Sequence, residues 1–164
     1  MLFKKSSIFS LEITKKQTFM TTSKTKPTAI FWVISILAFV WNAMGVDAYI
    51  QQAYNTERHQ AMYPDPKQLE IVNNLPSWLT AVFAIAVFAG IIGCIFLLFR
   101  KKSANLFFKI SLFAVIIQTV YNLFINEGVE FYGVFEYSML ILILLFDVFL
   151  VYYAKRSTDK GYIS

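Results

Sequence analysis

Marked as apolar and polar positions, the chain shows four long apolar runs separated by short polar stretches. Residues 27–46 carry no charge, and twenty helical positions cover about 30 Å, the thickness of a hydrocarbon core. Residues 78–99 are also uncharged. Residues 110–126 form a shorter uncharged run, so Lys109 falls at or below the membrane boundary. Residues 134–154 are rich in leucine and isoleucine but contain Glu136 and Asp147. The pattern predicts an all-α membrane protein: an up-down bundle of four transmembrane helices over about 28–54, 78–99, 104–126 and 134–154, within a transmembrane domain of residues 27–156.

Local signals set the helix boundaries. Pro27 suits a first helical turn because it has no N–H to leave unpaired. Asp65-Pro66 marks the start of a short helix in KQLEIVNN that lies on the membrane, and Asn73, Asn74 and Pro76 end it. His59, in the same polar loop, reads as a solvated histidine. RKKS at 100–103 and GVEFYG at 128–133 read as turns. Residues 157–164 read as a short polar cytoplasmic tail. Residues 1–26 hold six lysines and one acid. Three readings stay open there: a disordered basic tail meeting anionic headgroups, a weak amphipathic surface segment, or an untranslated stretch ahead of a start at Met20.

Composition agrees with a membrane protein. Hydrophobic residues make up 57% and charged residues 15%, against roughly 25% charge in soluble domains. Charge placement orients the bundle. Thirteen basic residues lie in the N-terminal segment, the 100–109 turn region and the C-terminus, and two, Arg58 and Lys67, lie on the other side. The positive-inside rule then puts both termini in the cytoplasm. One cysteine and one histidine exclude a disulfide framework and the usual zinc sites. Cys94 reads as a small core residue.

The remaining chemistry is intramembrane. An acid at a helix centre costs about 2.5–3.5 kcal/mol on insertion scales, and Leu140–Phe146 return roughly 2–4 kcal/mol. Asp147 must therefore face the interior, be protonated or have a partner. At about 100° per residue, Ser35, Ala38, Asn42 and Gly45 share one face of the first helix. Ser111, Val115, Gln118 and Asn122 share one face of the third. Glu136, Leu140, Ile143, Asp147 and Ala154 share one face of the fourth. Asn42, Gln118, Asn122, Glu136 and Asp147 are the candidate intramembrane polar site. By depth, Asn42 matches Gln118 in the outer half, and Ser35, Ser111 and Asp147 share the inner half. Lys109 points about 180° from Gln118, so it snorkels to lipid phosphates rather than pairing with Asp147. Asp47 and Gln51 line up at an outer mouth. Ala86, Gly90 and Gly93 form a small-residue stripe for close helix packing within the chain or between copies.

WNAMGVDAYIQQ at 41–52, LPSWLTAVFAIAVFAGIIGC at 75–94 and the RKKSA turn at 100–104 carry a resemblance over about 22–156. The chain resembles a largely uncharacterised family of small four-helix bacterial inner-membrane proteins, some of which bear a sugar-transporter label. In size and span count it is also similar to DoxX-like membrane proteins. The resemblance implies a multi-pass membrane protein and brings no catalytic residues with it.

Two functions follow as expectations. One is small-solute transport by a homo-oligomer, since four helices are few for a carrier; the solute is not legible. The other is a non-catalytic membrane subunit or assembly protein. An enzyme is not expected: Glu136 and Asp147 are about 16 Å apart along one helix, too far for a carboxylate pair. No cofactor, metal or nucleic-acid motif is present.

Overall fold

Only an internally hydrogen-bonded backbone crosses hydrocarbon without stranding its amides, and each apolar run becomes a helix. The computed structural model describes residues 25–164. Its four long helices are α1 (Ala29–Ala53), α4 (Ser77–Leu98), α5 (Ser103–Phe124) and α6 (Val134–Asp159), each long and apolar enough to cross a membrane. Two short helices, α2 (Glu57–Gln60) and α3 (Pro66–Asn73), lie between α1 and α4, and a 3-10 turn at Glu127–Phe131 joins α5 to α6. There is no strand among the described residues. The readings of residues 1–24, including the start at Met20, lie outside the described residues.

The helices alternate in direction and pack in sequence order: α1 on α4, α4 on α5 and α5 on α6. Small residues set the closest approaches. A Cβ on Gly93 would meet the Phe108 ring at 2.8 Å, so α4 and α5 press together where α4 has no side chain. Ala86, Gly90 and Gly93 are all buried within the chain. The stripe is used by intramolecular packing and is not free for contact between copies. Rings close the α1–α6 side, with Trp41 on Phe146 at 5.1 Å and Phe31 on Tyr153 at 6.3 Å.

At the end of the bundle that carries both described termini, the helices are tied together. Helix α4 stops with Arg100 in the left-handed region (φ 59°). Its N–H donates to the Leu97 carbonyl and that of Lys101 to the Phe96 carbonyl, the double closure usually built on glycine. Residues 160–164 are not a free polar tail. Helix α6 continues to Asp159 instead of ending at Ala154, and the chain then turns at Gly161 (φ 70°) and folds back. Ile163 is 1% exposed in a core with Phe31, Leu97, Phe108 and Leu150. The spacing of polar residues in TDKGYIS gave no sign of this, because one isoleucine supplies the anchor.

At the opposite end, Asp65 caps α3 by accepting from the amides of Lys67 and Gln68 at 2.8 and 3.3 Å. Lys67 ties α3 to the 3-10 turn through Glu130 at 2.6 Å. His59 is buried at 4% exposure, against the expectation of a solvated residue. Thr56 caps the turn around it, and its ring meets Tyr63 edge-on at 5.1 Å.

Candidate functional site

One polar residue from each of three long helices meets in a buried cluster against α4. Asn42 of α1, Ser111 of α5 and Asp147 of α6 are 7%, 3% and 6% exposed, and α4 supplies the floor between them. Each position follows from helical periodicity. On α1 the buried residues are Phe31, Ser35, Ala38 and Asn42, a run at steps of three and four that matches the predicted inward face.

The Asp147 carboxylate lies 3.1 Å from the Ser111 hydroxyl, which stands 2.9 Å from the Ala86 carbonyl. The hydroxyl has one proton and cannot donate to both acceptors at once. When Asp147 is ionised, Ser111 donates to it. When Asp147 carries a proton, it can donate to the Ser111 oxygen while Ser111 donates to Ala86. The serine therefore offers a hydrogen-bond partner to either form of the acid.

Asn42 reaches the cluster from the other side. Its amide nitrogen donates to the Ala38 carbonyl at 2.9 Å and to the Cys94 sulfur at 3.4 Å. Its amide oxygen occupies the space where a Gly90 side chain would begin. That same point is 3.3 Å from the Ser111 hydroxyl oxygen. Gly90 is thus a notch holding Asn42 on one side and Ser111 on the other, and the polar seam runs α1–α4–α5–α6.

Other predicted site residues fall elsewhere. Asn42 sits at the level of Ser111 and Asp147, not of Gln118. The reason is an overhang: Asn42 is about 20 Å from the start of α1 and Asp147 about 18 Å from the end of α6, whereas Gly90 and Ser111 are about 12 Å from the α4–α5 turn. Gln118 and Asn122 are half-buried nearer the loop end and make no hydrogen bond to Asn42 or Asp147. Glu136 is a helix cap, accepting from the Gly133 amide at 2.7 Å. Asp47 and Gln51 do not open onto the cluster. They bond each other at 3.3 Å and hold the α2 segment, through Arg58 to Asp47 at 3.0 Å and Thr56 to Gln51. Lys109 is exposed on α5 and does not contact Asp147.

Ser111 lies outside the candidate site named from sequence, and Gly90 and Cys94 belong there to packing alone; the structure brings all three to the cluster. The shared depth of Ser111 and Asp147 and the inward face of Ser111 are in the sequence pattern; the hydrogen bond between them, which makes Ser111 part of the site, is seen in the structure. A separate cavity of about 460 Å³ lies at the loop end, between α3 and the ends of α4 and α5, with Lys67, Glu70, Asn74, Tyr121 and Asn126 in its wall.

No family model, curated protein or solved structure matches the chain.

Proposed function

We propose that this multi-pass membrane protein couples proton exchange at Asp147 to the passage of a small solute. The observation that carries the reading is the Asp147–Ser111–Ala86 arrangement: a carboxyl buried among four helices, whose partner serves both its protonated and its ionised form. An ionisable group at this depth is expensive to insert and is a functional hypothesis by default. The charge distribution supports a cytoplasmic placement of the two termini, and the family resemblance supports an inner-membrane location. Passage of a solute calls for several copies of so small a bundle. They would meet through faces other than the Ala86–Gly90–Gly93 stripe, which the chain buries within itself.

The test is reconstitution in vesicles carrying an internal pH-sensitive dye, with proton entry driven by a potassium diffusion potential and followed on addition of a panel of small sugars, amino acids and organic acids. Asp147→Asn retains a group that can accept from Ser111. It is expected to insert and fold as the parent does and to lose the flux. Equal flux in the two proteins would overturn the proposal.

A second reading has a specific observation in its favour. Asn42, Ser111 and Asp147 all find partners inside the chain, as a packing clamp requires. A non-catalytic membrane subunit would use the cluster in that way. Copurification of a stable larger membrane partner in mild detergent, with no flux from the isolated chain, would favour it.

A further inference from the structure

The end of the bundle that carries both described termini combines rigid folding with exposed positive charge. Three separate pieces of chain meet there. The Thr25 amide donates to the Gly161 carbonyl at 3.2 Å, the Ser164 amide to the Arg100 carbonyl at 2.9 Å, and the Lys102 amide to the Ser164 carbonyl at 3.4 Å. The Arg100 guanidinium crosses between them, reaching the Tyr162 carbonyl at 2.8 Å and the Thr25 carbonyl at 2.9 Å. Beneath this tie Ile163 is seated in the core. The approach to α1, the α4–α5 turn and the C-terminal segment therefore form one platform.

The platform carries Lys26, Lys101, Lys102, Lys155, Arg156 and Lys160, all exposed. None forms an ion pair among the described residues, whose two ion pairs both lie at the other end of the bundle. The acid on this platform, among the described residues, is Asp159. Arg156 is steadied by the Tyr152 hydroxyl at 3.1 Å, and Lys160 lies 5.7 Å from the centre of the Tyr162 ring. Three independently moving segments would share this charge loosely. Here backbone hydrogen bonds fix the spacing of the cations before any anion arrives, so less ordering entropy opposes binding.

We propose that this platform is a binding surface for anionic phospholipid, gripping headgroup phosphates of the adjoining leaflet between the α4–α5 turn and the end of α6. The chemistry is charge-assisted hydrogen bonding from lysine and arginine to phosphate oxygens. Lipid is the fitting source because the cations ring the ends of membrane-spanning helices, where phosphates lie at the same height. The assignment rests on the membrane placement of the four helices and is independent of proton exchange at Asp147: loss of lipid binding with flux intact, or the reverse, separates the two.

The test is native mass spectrometry of the full chain in neutral detergent, titrated with phosphatidylglycerol, with phosphatidylcholine, and with inorganic phosphate. The parent is expected to retain phosphatidylglycerol in preference to phosphatidylcholine, with affinity falling as salt rises. Lys101→Gln with Lys102→Gln removes two cations and is expected to weaken phosphatidylglycerol binding about thirtyfold. Ile163→Ala leaves every cation in place but unseats the tie, and should also weaken binding; its thermal unfolding is followed in parallel to confirm that the bundle remains folded. Equal retention of the two lipids would overturn the proposal. So would unchanged binding in both variants. Inorganic phosphate displacing phosphatidylglycerol at matched concentration would show that the surface recognises phosphate without the lipid. Full binding by folded Ile163→Ala would overturn the role of the platform.

Discussion

The seam across the bundle depends on the absence of one side chain, and Gly90→Ala tests it. The added methyl would land on the Asn42 amide oxygen, 3.1 Å from the Asn42 Cγ and 3.3 Å from the Ser111 oxygen. Asn42 must move, and at 7% exposure it has little room to do so. Overpacking of a tight interior costs about 1–3 kcal/mol. An interhelical polar contact in a membrane protein adds about 0.6 kcal/mol. Replacing glycine in a helix returns about 1 kcal/mol. The net is roughly 0.6–2.6 kcal/mol destabilising. Gly45→Ala is the control, because its methyl would meet Val87 at an ordinary 3.4 Å and should be neutral or stabilising. Reversible unfolding in mixed micelles gives both values. Shortening the clashing partner with Asn42→Ala should relieve most of the Gly90→Ala penalty, giving a coupling above about 1 kcal/mol in a double-mutant cycle. A neutral Gly90→Ala, or additive behaviour with Asn42→Ala, would refute the notch.

Gly93→Ala would set a methyl 2.8 Å from the Phe108 ring, which is 1% exposed and cannot swing aside. A destabilisation of about 1–3 kcal/mol in the same unfolding assay is expected, with Phe108→Leu in the background restoring part of it. His59 is held below its ordinary pKa by burial. Its neutral form is the one the fold favours, so the unfolded segment binds more protons as the medium turns acid. The stability it contributes is complete above the unfolded-state pKa and is lost as pH falls toward the folded-state value. With the slower intrinsic exchange in acid divided out, amide protection around α2 should fall on acidification below neutrality, and His59→Gln should flatten that response.

Fold class was legible because membrane insertion depends on run length and charge, and both are written linearly in the sequence. The inward faces of α1 and α6 were also legible: Ser35, Asn42 and Asp147 are buried where a 3.6-residue period puts them. Relative depth was legible only in part. A common inner boundary for all helices is a fair assumption from charge, but α1 and α6 overhang the α4–α5 turn, which brings Asn42 down to Ser111. Glu136 shares a face with Asp147 yet serves the backbone, since the start of a helix offers it the unpaired Gly133 amide. The folding back of Gly161–Ser164 was not legible, because it rests on long-range backbone hydrogen bonds to Arg100 and Lys102 that no short-range pattern encodes.

On the proposed function, Asp147 exchanges a proton while held by Ser111 in the middle of the bundle. Infrared difference spectroscopy of the reconstituted protein, stepped from acid to alkaline buffer, observes that exchange at the carboxyl itself. A carboxyl C=O band is expected that is missing from Asp147→Asn, changes intensity with bulk pH and shifts in frequency in Ser111→Ala. A spectrum identical in the parent and Asp147→Asn, or an Asp147 band indifferent to bulk pH, would contradict it.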